Sequence, residues 1–174
     1  MKKTIILITA SIAFCNTTPN EISKDLIQTL GKNLKHELKK GGINKALKFC
    51  ALNAYNITTK IQAKYPNATI KRISLKPRSP LDKPNKEETI ILQTFEKLKK
   101  LKLKPKNLVI EKENKKVIYK PLYISKKVCL KCHGNIEPNS KISQTLKQYY
   151  PNDKATGYKL GDFRGAVVIT LEKK

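Results

Sequence analysis

The run Val128-Cys-Leu-Lys-Cys-His-Gly134 sets two cysteines three positions apart, and a histidine follows the second directly. Four chemistries compete for it, and each asks for a different domain around it. A dithiol redox pair opens a helix in a β-α-β setting, where the helix dipole lowers the thiol pKa. Here the pair follows a hairpin pattern instead. A structural zinc site needs four ligands. Cys129, Cys132, His133, His36 and Cys50 are on offer, but adjacent Cys132 and His133 do not easily reach one tetrahedral ion. A disulfide across two intervening residues closes a strained ring and leaves His133 unexplained. Covalent haem attachment uses all three residues. Cys129 and Cys132 become thioethers on the two vinyl groups of one porphyrin, and His133 is carried beneath the iron as an axial ligand. The expected cofactor is therefore a single haem c.

The opposite axial position has no obvious occupant. Small cytochromes c often use methionine there, but the only methionine is Met1. His36, Cys50, a lysine, a tyrosine or nothing remain. His36 lies well off the apolar stripe of its helix, beside Lys32 and Lys40, and should face solvent. Cys50 sits in the middle of an apolar helical face, where a free cysteine is either a ligand or a small buried hydrophobe.

Thioether attachment belongs to exported proteins, and the N-terminus agrees. Lys2 and Lys3 precede an apolar stretch from Thr4 to Phe14, too short for a span and followed by Asn16-Thr-Thr-Pro19. Residues 1–15 are expected to be a secretory signal, leaving a single haem-binding domain over 20–174. Cys15 stands where a lipoprotein cysteine would be, with Phe14 rather than a small residue before it. Cleavage just after Cys15 is the other outcome. The expected location is the periplasm, as a soluble or a lipid-anchored protein.

The chain carries a formal charge of +24, and of its 37 Lys+Arg residues only Arg72, Arg78 and Arg164 are arginine. The lysines are spread throughout, as a solvated surface would have them. The charge favours an acidic protein partner or anionic lipid. Nucleic acid is disfavoured, since stacking aromatics are few and no recognition motif appears. Arginine forms bidentate pairs with carboxylates, so Arg72, Arg78 and Arg164 are candidates for the two haem propionates. Ordinary ion pairs, such as Arg164 with Asp162, are the competing role.

Hydrophobic periodicity places helices over Ile22–Lys40 and from Ile43 to about Ile61, broken at Gly41-Gly42. A strand is expected over Ala68–Lys76, followed by a proline-rich loop without regular structure, Pro77–Pro84. Asn85 and Glu88 form a capping box for a third helix. A hairpin spans Leu108–Ile110 and Val117–Ile124, with Tyr119 and Tyr123 on its second strand. A short helix follows over Ser140–Tyr149, then a last strand over Arg164–Leu171. Helices first and antiparallel strands afterwards make an α+β domain.

From about Leu26 to Thr170 the chain resembles the PAS-like c-type haem domains, a family long catalogued as a domain of unknown function. The resemblance rests on Phe49-Cys50, Arg72-Ile-Ser-Leu-Lys-Pro-Arg78, Pro84-Asn85 to Glu88, Tyr119-Lys-Pro121 and the Cys129–Gly134 motif. It rests most specifically on Tyr150-Pro-Asn-Asp-Lys-Ala-Thr-Gly-Tyr158 running into Gly161–Ala166. Ser79 and Asp82 depart from the family, which tends to have asparagine there. The resemblance implies a PAS-like fold with N-terminal helices on a cupped antiparallel sheet. It also implies axial ligation by His133 on one side and Cys50 on the other. The expected function is electron transfer by a monohaem c-type cytochrome with an acidic redox partner. The alternative is a redox or gas sensor acting through a separate signalling protein. An enzyme is not expected, because no distal histidine is well placed for acid–base work.

Overall fold

A computed structural model describes residues 18–173. The expected signal over residues 1–15, with Cys15, lies outside these residues. Thr18 opens helix α1 (Pro19–Gln62) with a capping box. Its hydroxyl accepts from Glu21 N at 3.3 Å, and the Glu21 carboxylate accepts from Thr18 N at 2.7 Å. The helix therefore starts three residues ahead of the first apolar position, Ile22. Gly42, at φ 69°, breaks α1 into two arms, 19–40 and 43–62. That conformation is costly for any side chain with a Cβ. The arms fold back on each other, and Asp25 near the start of the first accepts from Lys64 Nζ (3.0 Å) and Tyr65 Oη (3.1 Å) just past the end of the second.

The sheet comprises β1 (Ala68–Ile73), β2 (Leu108–Glu111), β3 (Lys115–Tyr123) and β4 (Phe163–Glu172), antiparallel throughout in the order β1-β4-β3-β2. Helix α2 (Lys86–Lys100) starts at the expected capping box of Asn85 and Glu88. Central β4 is buried on both faces, which is why its sequence reads as a continuous apolar run. Val167 and Ile169 face Ile22, Leu26 and Ile61 of α1, whereas Ala166 and Val168 meet Ile91, Leu92 and Phe95 of α2. Fully burying a side chain such as Leu26, Leu92 or Phe95 stabilises the fold by about 1.5–3 kcal/mol each. The helices are thus on both faces of the sheet, not only the N-terminal pair on one.

Two local elements depart from expectation. Pro80–Asp82 form a 3-10 turn inside the proline-rich loop. Pro80 opens it at a position whose N–H has no intrahelical partner to lose. The cysteine–histidine run is itself helical, α3 (Lys127–His133), and α4 (Lys141–Tyr149) follows. Thr145 Oγ1 of α4 donates to Asn44 Oδ1 of α1 at 3.1 Å. Among the described residues no helix is long and apolar enough to cross a membrane.

Candidate functional site

The leucine stripe of the first arm does two jobs. Ile22 and Leu26 are buried against the sheet, whereas Leu30, Leu34 and Leu38 continue past it and wall a cavity of about 360 Å³. That size lies within the range of small-molecule and cofactor sites. Seven of the residues singled out in the sequence line it: Cys50 from the second arm, Arg72 and Arg78, Cys129, Cys132 and His133 of α3, and Arg164 of β4. Residues from five separate stretches thus converge on one space. His36 is not among them, and its side chain is 59% exposed.

His133 is held in one tautomer. Its Nδ1 lies 2.8 Å from the Ala155 carbonyl oxygen. A carbonyl can only accept, so Nδ1 carries the proton and Nε2 keeps its lone pair. Burial, reinforced by the positive Arg78 and Arg164, brings the imidazole pKa down to about 3. The ring is therefore neutral at ordinary pH, as a metal ligand must be. Cys50 and Cys132 are both pushed above the ordinary thiol value, chiefly by burial. Cys50, Cys129 and Cys132 are free, half-buried thiols. Among the described residues no three His, Cys, Asp or Glu side chains converge as a bare metal ion would require.

The loop after α4 holds the histidine in place. Gly157 N donates to Gly134 O and Tyr158 N to His133 O, each at 2.9 Å, so the 155–158 backbone runs along the end of α3. Asp153 shapes that loop by accepting from Ala155 N at 2.7 Å, and it pairs with Arg78 at 3.0 Å. One terminal nitrogen of Arg78 also donates to the carbonyls of Cys132 (2.6 Å) and Ala155 (3.2 Å). Gly134 is required by contact, since a Cβ there would lie 2.6 Å from Leu130 O.

The other arginines have different surroundings. Arg72 lies 3.5 Å from Asp82, whose carboxyl is pushed up by burial against the opposing pull of Arg72 and Arg164. Arg164 donates to Ser74 Oγ (2.6 Å) and Lys76 O (3.3 Å), and its guanidinium stands 5.5 Å from the Tyr158 ring centroid. Tyr158 in turn meets His133 edge-on at 6.2 Å. Arg164 has no bond to Asp162, which instead accepts from Lys99 at 2.9 Å. Arg164 points into the cavity wall, while Asp162 faces the end of α2. Tyr119 and Tyr123 do not line the cavity and pack in the core under α2.

Tyr150, Asp153 and Ser74 were not assigned to the site from sequence. Tyr150 lines the cavity, and burial pushes its phenol up to about 12. A clue to Asp153 was available. The chain has few acids and three arginines, and a buried arginine needs a counter-charge.

Comparison with known proteins follows the same lines. Comparison with curated proteins finds no match. A solved structure described as the crystal structure of the cyanobacterial heme-protein Tll0287 superposes with a TM-score of 0.63 at 20% identity. The match covers 91% of this chain and 98% of that one. At that identity the likeness establishes the shared α+β, PAS-like fold. The sequence profile of the Tll0287-like family matches residues 2–171, nearly the whole chain, and this chain belongs to that family.

Proposed function

We propose that the cavity takes one haem c, joined to Cys129 and Cys132, with His133 and Cys50 as axial ligands. The protein is then an exported monohaem c-type cytochrome, acting in electron transfer with an acidic redox partner rather than as an enzyme. The observation that carries this reading is the convergence on one cavity of a neutral imidazole with a free Nε2 lone pair and three thiols. Two of those thiols come from the helical turn beside the imidazole, and the third from a distant helix arm. The likeness to a protein described as a heme-protein supports the cofactor class.

Haem in this site supplies a one-electron iron couple, and thiolate ligation favours its oxidised state. The chain's own groups do the rest. The Ala155 carbonyl keeps the proton on Nδ1 and so fixes the ring's orientation. Arg72 and Arg164 offer guanidinium N–H groups to propionates, and Arg78 has one terminal nitrogen left to do the same. The leucines of the first arm exclude water. Cys50 must lose its proton to act as a ligand, against a thiol pKa raised by burial.

Purified protein from a host with cytochrome c maturation should keep its pigment through acid–acetone extraction. Its low-spin ferric paramagnetic signal should change in Cys50→Ala. Pigment lost on extraction removes the thioethers from the account, and an unchanged signal removes Cys50 as a ligand.

Sensing is the second reading, and one observation favours it. Cys50 prefers its protonated form and sits on an arm hinged at Gly42, so its release would free that arm to signal through a separate partner. Carbon monoxide uptake with loss of the thiolate signature supports sensing. A reversible couple without gas uptake supports electron transfer.

A further inference from the structure

Away from the cavity, α2 ends in the run Lys97-Leu-Lys-Lys-Leu-Lys-Leu-Lys-Pro-Lys106, six lysines in ten residues with no acid. Charge alone says little in a chain so rich in lysine. What distinguishes this turn is its leucines. Leu101 and Leu103 are 69% and 54% exposed, and the turn that presents them is closed by backbone hydrogen bonds. Lys102 adopts φ 61°, Lys102 N donates to Lys99 O, and Leu103 N donates to Leu98 O, both at 2.9 Å. This is a Schellman closure with lysine at the left-handed position that glycine normally fills. The backbone thus holds two leucines outward between lysines. Lys97, Lys100, Lys102, Lys104 and Lys106 are exposed and make no ion pair among the described residues.

The first turn of α1 lies beside this turn. Asn107 Nδ2 donates to Asn20 Oδ1 at 3.2 Å, and Lys120 Nζ reaches the same oxygen at 3.4 Å.

We propose that the 97–106 turn is a membrane-docking surface that sits on an anionic lipid bilayer, with Leu101 and Leu103 entering the headgroup region and the flanking lysines on the phosphates. Apolar side chains rimmed by lysine are the chemistry of interfacial binding, since the leucines gain by burial and the lysines by attraction to anionic headgroups. Lysine also suits the rim because its long stem lies along apolar surface while its ammonium stays wet. The far end of the first arm lies roughly 30 Å along the helix from Asn20 at 1.5 Å per residue. The surface does not depend on what fills the cavity.

Hydrogen exchange of the full chain tests this, on phosphatidylcholine vesicles with and without a minority of phosphatidylglycerol. Amides of residues 100–107 should exchange several-fold more slowly on the anionic vesicles only, and the protection should vanish near 1 M salt, where screening falls to about 3 Å. Replacing Lys100, Lys102 and Lys104 by Gln should raise the lipid concentration for half-maximal protection by on the order of 10- to 100-fold. The matched change at Lys35, Lys39 and Lys40, at the far end of the arm, should raise it much less. Equal exchange on both vesicle types overturns the proposal, as does protection that follows the distant lysines equally well. Protection by polyglutamate but not by anionic vesicles would also overturn it, assigning the turn to an acidic protein.

Discussion

The guanidinium of Arg78 and the carboxylate of Asp153 lie 3.0 Å apart with side chains only 10% and 8% exposed. The pair ties the loop after α4 to the carbonyl of Cys132 and to the Ala155 carbonyl that orients His133. Removing one partner strands a buried charge. Asp153→Ala should cost about 3–5 kcal/mol, whereas replacing both residues by apolar ones should cost much less. Denaturant melts of the single and double variants decide this. A single-variant loss below about 1 kcal/mol would mean the pair does not clamp the loop.

Gly134→Ala forces a Cβ to within 2.6 Å of Leu130 O and 3.2 Å of Leu130 Cβ, immediately after His133. The backbone must shift, at an expected cost of about 1–3 kcal/mol. If haem is bound as proposed, the same shift should broaden the spectroscopic signature of ligation by His133. An unchanged melt with an unchanged spectrum would show that α3 yields there without strain.

Glu88 joins α2 to the sheet. Its carboxylate accepts from Asn85 N (2.8 Å) and from Lys71 Nζ on β1 (2.8 Å), and its side chain is nearly buried. Glu88→Ala loses half of the capping box and leaves Lys71 without its partner, for about 2–4 kcal/mol. Glu88→Gln keeps the capping bond and should lose less. Equal losses in the two variants would argue against a role for the charge.

Asp25 holds the arms of α1 together, and its pKa is lowered first by the hydrogen bond from Lys64. The unfolded chain therefore takes up this proton at higher pH than the folded one. The contribution is complete above about pH 4 and is lost as pH falls through the lower folded value. The pair is partly exposed, so Asp25→Asn should cost at most about 1 kcal/mol at neutral pH. The variant's acid limb should be flatter than wild type in urea melts run from pH 6 to acid. Parallel limbs would show that Asp25 titrates alike in both states.

The elements were largely legible because local rules govern them. The Asn85–Glu88 box, the glycine break and the period of the leucines each depend on a few neighbouring residues. Boundaries and small helices were less so. The start of α1 depended on Thr18–Glu21, and the helical form of Lys127–His133 carries no apolar stripe to announce it. The candidate cysteines and histidine could be named from spacing alone, and Cys50 from the family resemblance. The partners of the arginines could not.

The sequence by itself determined which residue types are available: two thiols and an imidazole within five positions, a third thiol in an apolar helix, and three arginines among many lysines. Only the tertiary structure decided their grouping. The fold-back at Gly42 brings Cys50 to the α3 cavity, Asp153 rather than Asp162 becomes an arginine's counter-charge, and the Ala155 carbonyl selects the tautomer of His133. The last two rest on contacts between residues 22 to 77 positions apart. Such contacts depend on how the arms and the sheet pack, which no local pattern in the chain encodes.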